Sequence, residues 1–317
     1  MSALTSFVGR DAEVAEVAEL LGEYRLVTVT GPGGIGKTRL ASEVARMVAS
    51  RFADGAWLVE LAAVREPGQV AAVVAARLGV PAAPGVSVTE ALAAALGRQR
   101  ILLVLDNCEH VVAAVAELCG AVLPAADDVT VLATSREPIG ITGETRYRLG
   151  PLSVPGPGQV GQGLNSAAVR LFAERARQAD PRFALDGESG PLAGRLAARL
   201  DGMPLAIELA AARVEAFGLA ELLDRLETSH QLLVSADRSA PERHQSLTAT
   251  VEWSYRLLSE EEQRVFWRLA IFPGPFTLEA AVVVAGAGTE PLVARLVDCS
   301  LLAPPRPGPA QTAGPGT

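Results

Sequence analysis

At 317 residues, with 49% hydrophobic and 20% charged side chains, the chain can fill two or three folded domains and is not a disordered polymer. Its net charge of −8, spread along the chain without a basic run, lacks the electrostatic footprint of a nucleic-acid binder, so no nucleic acid is expected to bind this chain alone. No apolar run reaches the roughly 18 residues of a membrane span, no basic-then-apolar leader opens the chain, and Cys108, Cys119 and Cys299 lack metal-ligand spacing, so a cytoplasmic protein with reduced thiols and no membrane contact is expected.

The first predicted element is a helix over Asp11–Leu21, with Val14, Val17, Ala18 and Leu21 on one face. A buried strand, Arg25–Thr30, then leads into Gly31-Pro32-Gly33-Gly34-Ile35-Gly36-Lys37-Thr38. This has the G-x-x-x-x-G-K-[ST] pattern of a phosphate-cradling P-loop. Lys37 is the only lysine in the chain, and every other basic residue is arginine. A compact ammonium on a slim stem can lie along such a loop, where a planar guanidinium fork cannot. Leu40, Val44, Met47 and Val48 follow at helical spacing, so strand, loop and helix stand in the order that presents loop N–H groups and a helix N-terminus to phosphates. The Thr38 hydroxyl is expected on Mg²⁺.

Next come a strand over Ala56–Leu61, helices near Gly68–Leu78 and Thr89–Leu96, and an apolar strand, Arg100–Asp106, that ends in an acid. A helix over Val111–Leu123, a strand over Val129–Thr134 and a short strand at Thr145–Leu149 complete an alternation that predicts a doubly wound parallel α/β sheet over residues 1–150. Pro and Gly mark 151–163 as a linker. Helices are then expected over Ala167–Ala179, Leu192–Leu200, Pro204–Phe217 and Ala220–Leu226, forming an all-α part at 164–234. After a polar break, Ser246–Leu258, a helix opened by the capping box Ser259-Glu260-Glu261-Glu262, Thr277–Ala285 and Pro291–Ser300 fill 245–302. Trp253 and Trp267 fall on amphipathic helices and are expected in the core. The Pro/Gly-rich stretch 303–317 is expected to be disordered.

Asp106, at the end of its strand, is placed to sit beside Mg²⁺ bound at an upstream P-loop. The strand 56–61 comes between the P-loop strand and this one, a spacing that favours P-loop proteins with an inserted strand over simple nucleotide kinases. Thr134-Ser135-Arg136 ends the following strand and puts Arg136 at the carboxyl edge of the sheet, where it can meet a γ-phosphate. His110, His230 and His244 are too dispersed to suggest a metal site.

Four segments together resemble the STAND class of signalling ATPases, close to the NB-ARC module, and most of all the ATPase part of actinobacterial regulators of the antibiotic-regulator and large LuxR types. They are Phe7-Val8-Gly9-Arg10-Asp11-Ala12-Glu13, the P-loop, Leu103–His110 with Thr134-Ser135-Arg136, and Gly202-Met203-Pro204-Leu205-Ala206. The resemblance covers about residues 4–300. It implies a P-loop parallel sheet with helices on both faces, an all-α helical subdomain, and a partial winged-helix subdomain. It further implies that Val8, Gly9 and Arg10 line the adenine side. Gly31, Gly33, Gly34, Ile35, Gly36, Lys37, Thr38 and Arg39 would hold the phosphates. Thr38 and Asp106 would hold Mg²⁺, Arg136 would sense the γ-phosphate, and Pro204 would close over the base and ribose.

The pattern departs from the family in two places. Many NB-ARC relatives carry two consecutive acids where this chain has Asp106-Asn107. An amide cannot take a proton from water, which leaves Glu109 as the nearest candidate base and implies slow hydrolysis. The winged-helix part is expected to stop after Leu301-Leu302, with a Pro/Gly-rich stretch where the family's later segment that contacts ADP would stand. The resemblance implies an ATP- and ADP-binding switch with a protein partner, or self-association, in the ATP state. The alternatives left open are a turnover ATPase of the remodelling or motor type and a degenerate module that binds ADP alone.

Overall fold

A computed structural model describes residues 6–156, 165–228 and 246–303. The later part of the expected linker (157–163), the polar break after Thr228, His230 and His244, and the tail 304–317 lie outside the described residues.

Chain order in the first part is α1 (Asp11–Glu23), β1 (Leu26–Thr30), α2 (Lys37–Val48), β2 (Ala56–Glu60), α3 (Val70–Leu78), α4 (Val88–Leu96), β3 (Leu102–Asp106), α5 (Val112–Ala125), β4 (Thr130–Ser135) and β5 (Glu144–Arg148). The five strands form one parallel sheet in the order β2-β3-β4-β1-β5. Within the sheet, β4 separates the P-loop strand β1 from the Asp106 strand β3, while β2 lies at the edge. The inserted strand is therefore Thr130–Ser135; Ala56–Glu60 falls between β1 and β3 along the chain, but in the sheet it pairs with β3 on the side away from β1. β1, β3 and β4 are buried along their whole length, which is why they read as continuous apolar runs.

Strand alternation divides the core into two layers. Leu26, Leu103, Leu105, Val131 and Ala133 face α3, α4 and α5. Val27, Val29, Leu102, Val104 and Leu132 face α1 and α2. Each fully buried aliphatic side chain contributes about 1.5–3 kcal/mol, and both faces are covered, so the sheet offers no apolar side to water.

The second helical group comprises α6 (Ala167–Ala179), α7 (Ser189–Arg199), α8 (Pro204–Ala211), α9 (Val214–Phe217) and α10 (Leu219–Thr228), around a core that includes Phe172, Leu196, Ile207 and Leu222. The helix expected over Pro204–Phe217 breaks in two. The backbone tightens there, with the Arg213 N–H donating to Ala210 O at 2.9 Å and Ala216 N–H to Arg213 O at 3.1 Å. The start of the expected linker is packed structure: Leu152 is buried in this helical core, and its N–H donates to Gly202 O at 2.9 Å. The sheet and this helical group form one compact unit, made of the described residues up to 253.

The described residues from 254 onward form a second unit. Following α11 (Leu247–Arg256), its helices are α12 (Glu260–Leu269), α13 (Leu278–Ala285) and α14 (Glu290–Asp298), closed around Val265, Leu269, Ala281, Val293 and Leu296. The Ser259–Glu262 capping box forms as expected. Trp267, expected in the core, is 68% exposed, and its indole N–H donates to the Tyr255 hydroxyl at 2.7 Å. The buried stripe of α12 runs instead through Val265 and Leu269. The side chain of Trp253 is outside the described residues. Among the described residues, no single helix is long and apolar enough to cross a membrane.

The turn before α8 depends on a glycine. Gly202 has φ +65°, and a Cβ there would fall 2.2 Å from the backbone oxygen of Leu152. Backbone cannot yield as a flexible side chain can. Gly202→Ala is expected to destabilise the first unit by at least about 2 kcal/mol, combining left-handed strain with the clash. Chemical denaturation followed by circular dichroism checks this, and an unchanged midpoint would contradict it.

Candidate functional site

The P-loop is shaped by its glycines and by its own lysine. Gly31, Gly34 and Gly36 have φ of +155°, +78° and +98°, and Gly36 caps the N-terminus of α2. Such a path suits glycine alone and turns loop N–H groups inward. Lys37 Nζ donates to the carbonyl oxygens of Gly31 at 2.7 Å and Pro32 at 3.1 Å, so the ammonium lies along the loop.

Beside the loop, Asp106 Oδ1 accepts two hydroxyl hydrogen bonds, from Thr38 at 2.7 Å and from Thr134 at 2.6 Å. The Asn107 N–H donates to the Thr134 oxygen at 2.9 Å. Asn107 itself has φ +67°, a conformation asparagine tolerates better than most residues. Its buried side-chain nitrogen has no hydrogen-bond partner among the described residues. A hydroxyl and a carboxylate held together at the mouth of a phosphate loop are a hard-oxygen donor set suited to Mg²⁺.

Arg136 and Glu109 form an ion pair, with Nε 3.1 Å from Oε1 and side chains 5% and 4% exposed. Glu109 Oε2 is buried without a hydrogen-bond partner among the described residues. Directly behind, burial pushes the Cys108 thiol well above its usual range, with a further push from the neighbouring Cys119 and acids, so it stays protonated and inert as a nucleophile.

The helical group closes the other side. Leu205, in the first turn of α8, donates its N–H to Gly34 O at 3.2 Å, and a Cβ on Gly34 would meet the Leu205 side chain at 2.8 Å. Glu208, one turn further along α8, accepts from Arg39 of α2 at 3.2 Å and from Arg175 of α6 at 3.0 Å. Arg10 is buried. It pairs with Glu13 at 2.8 Å and donates to the backbone oxygens of Gly150 at 2.8 Å and Ile35 at 3.3 Å, which braces the entry segment against the loop.

These surfaces enclose a cavity of about 450 Å³. Of the residues marked by sequence, Val8, Arg10, Gly33, Gly34, Ile35, Gly36, Lys37, Thr38, Arg39, Asp106, Glu109, Arg136 and Pro204 all line it. Gly31 and Gly9 do not. Gly31 gives its carbonyl to Lys37. Gly9 allows close approach of α6, since a Cβ there would stand 2.4 Å from that of Ala167. Sequence reasoning missed Glu60, Thr134, Leu205 and Glu208. Thr134 lay inside the quoted Thr-Ser-Arg motif, and Leu205 and Glu208 follow Pro204 at helical spacing, so a helix-face reading of that motif could have found them.

A family profile described as AAA ATPase domain matches residues 6–134. An uncharacterized protein of Mycobacterium tuberculosis is 41% identical over 287 residues, covering 90% of this chain and 70% of the relative. A candidate HTH-type transcriptional regulator of the same organism is 43% identical over 289 residues, covering 89% of this chain and 31% of the regulator. The chain belongs to the P-loop ATPase modules of actinobacterial regulators. The Walker-type ATPase of Pyrococcus abyssi shares the fold, with a TM-score of 0.53 at 13% identity over 92% of this chain and 89% of that one. Such modules use a nucleotide, typically with Mg²⁺. In this module, the residues that close the cavity come from both the sheet and the helical group.

The buried pair yields a stability prediction. Glu109→Gln removes the carboxylate charge that faces the buried Arg136 guanidinium and should cost about 3–5 kcal/mol, whereas Glu109→Met with Arg136→Met together should recover most of that loss. Urea titrations of the three proteins check the ordering. A single variant as stable as the parent would mean the pair carries no burial penalty.

Proposed function

We propose that the chain is an ATP- and ADP-responsive switch with slow hydrolysis, the regulatory ATPase part of a transcriptional regulator. The observation that carries this reading is the hydrogen bond from Leu205 N–H to Gly34 O. The loop that would hold the phosphates is bonded directly to the first turn of a helix in the other group. A ligand shifts a conformational equilibrium only through contacts that differ between its states. Here any contact that moves the P-loop acts on α8 as well.

The roles follow the geometry. The loop N–H groups from Gly31 to Gly36, with Lys37, would cradle the β- and γ-phosphates, and Arg39 would lie at their edge. Thr38 and Asp106 would hold Mg²⁺, which supplies charge neutralisation at the phosphates when bound. Val8 and Pro204 would line the base, with Gly9 and Arg10 fixing the segment that carries Val8. Arg136 would sense the γ-phosphate. Glu109, expected from sequence as the base, would instead hold Arg136 until ATP competes for it, because its carboxylate is buried against that guanidinium.

Helices α6–α10 would act as the helical lid, and α12–α14 as the first part of a winged-helix subdomain. The transcriptional role is carried over from the candidate HTH-type regulator, of which the chain matches 31%. The partner in the ATP state, a protein or a second copy, belongs to the same proposal.

Two measurements test it. Lys37→Ala removes the only ammonium side chain at the loop and should weaken ATP and ADP binding by about 2–4 kcal/mol in calorimetry. Binding equal to the parent's would end the reading. The doubly substituted Glu109→Met, Arg136→Met protein should keep ADP affinity and lose any preference for ATP. An equal loss for both nucleotides would make the pair structural.

A further inference from the structure

Hydrolysis needs a group to take the proton of the attacking water, and most of the acids around the cavity are engaged. Four carboxylates line it: Glu60, Asp106, Glu109 and Glu208. Asp106 accepts from Thr38 and Thr134. Glu109 is buried against Arg136. Glu208 accepts from Arg39 and Arg175. Glu60 differs on both counts. It is exposed, and no hydrogen bond or ion pair engages its carboxylate among the described residues.

Its position follows from the sheet. Glu60 is the last residue of β2 and pairs in register with Asp106, the last residue of β3. Neighbouring strands lie about 4.8 Å apart, and residues in register on parallel strands project to the same face. Leu58, two residues earlier on β2, packs into the core shared with α1 and α2, so that face carries the P-loop helix. Glu60 and Asp106 are thus side by side at the carboxyl edge of the sheet, on the phosphate side, with one held and the other unengaged.

We propose that Glu60 is the carboxylate that accepts the proton of the attacking water. The water oxygen forms a bond to the γ-phosphorus, and the bond from that phosphorus to the bridging oxygen breaks, leaving its electron pair on ADP. The water proton passes to the Glu60 carboxylate and is later released to solvent, so the products are ADP and inorganic phosphate. Asn107 cannot serve, having an amide where a carboxylate is needed. The assignment rests on the reading of this cavity as an ATP site, and it moves the base from the Asp106 strand to its neighbour.

Glu60→Gln tests it, since an exposed isosteric change leaves the fold intact. Calorimetry should give ATP and ADP affinities within about twofold of the parent. Single-turnover hydrolysis should slow by about 10²–10⁴-fold. Glu60→Gln hydrolysing at the parental rate would overturn the assignment, and so would a loss of ATP affinity that accounts for the whole loss of rate. A parent that binds ATP and does not hydrolyse it would also overturn the assignment while leaving the switch intact. A parent that binds neither nucleotide would overturn the site reading itself, and this assignment with it.

Discussion

One oxygen atom organises the carboxyl edge of the sheet. Asp106 Oδ1 receives hydroxyls from Thr38, on the helix after the P-loop, and from Thr134, on the strand between the P-loop and Asp106. Helix α2 and the neighbouring strands β4 and β3 thereby meet at a single buried carboxylate. A buried carboxylate without such donors would carry an uncompensated desolvation cost. With them it fixes the spacing between the loop and the acid, and every other feature of the cavity is arranged around that spacing.

The helical group is joined to this edge by backbone as well as by side chains. Gly202 lets the turn before α8 pass against Leu152, where any side chain would collide with a backbone oxygen. That places Pro204 at the start of α8 and aims the N–H of Leu205 at Gly34 O. Glu208 then draws together arginines from both groups. The Arg175 end of this bridge is buried and the Arg39 end partly exposed, so the Arg175 contact is the more strongly desolvated of the two. Helix α8 is thus tied to the P-loop and α2 through a main-chain hydrogen bond and a shared carboxylate.

Charge is distributed with the same economy. Around the cavity, Arg10 is committed to backbone oxygens, and Arg136 is held by Glu109. Lys37 lies on loop carbonyls. Phosphates entering such a site would compete for cations already in contact with protein oxygen, which makes affinity a difference between two sets of contacts. This is the physical ground of the proposed switch: each cation has an arrangement with protein oxygen that phosphate would replace with another.

Much of this was legible in the sequence because it depends on local chemistry. The G-x-x-x-x-G-K-T pattern needs glycines where φ is positive and a slim cation where a fork does not fit, so the loop, α2 and the position of Lys37 follow from residue types alone. Buried parallel strands declare themselves as apolar runs, and Asp106 and Arg136 stand out as charges at their ends. The sequence could not order the strands across the sheet, because register and neighbours come from packing between distant segments. It therefore could not show that β4 lies between β1 and β3, or that Glu60 stands beside Asp106. Nor could it show that Glu109 faces Arg136, 27 residues away, because the amino-acid pattern of a buried ion pair is the same as that of two solvated charges. Trp267 looked like core because its helix is amphipathic, and only the packing around α12 turned it to solvent. Residue chemistry determined which groups could bind phosphate; tertiary structure decided which of those groups are already engaged, since engagement depends on what the fold brings within a few ångströms.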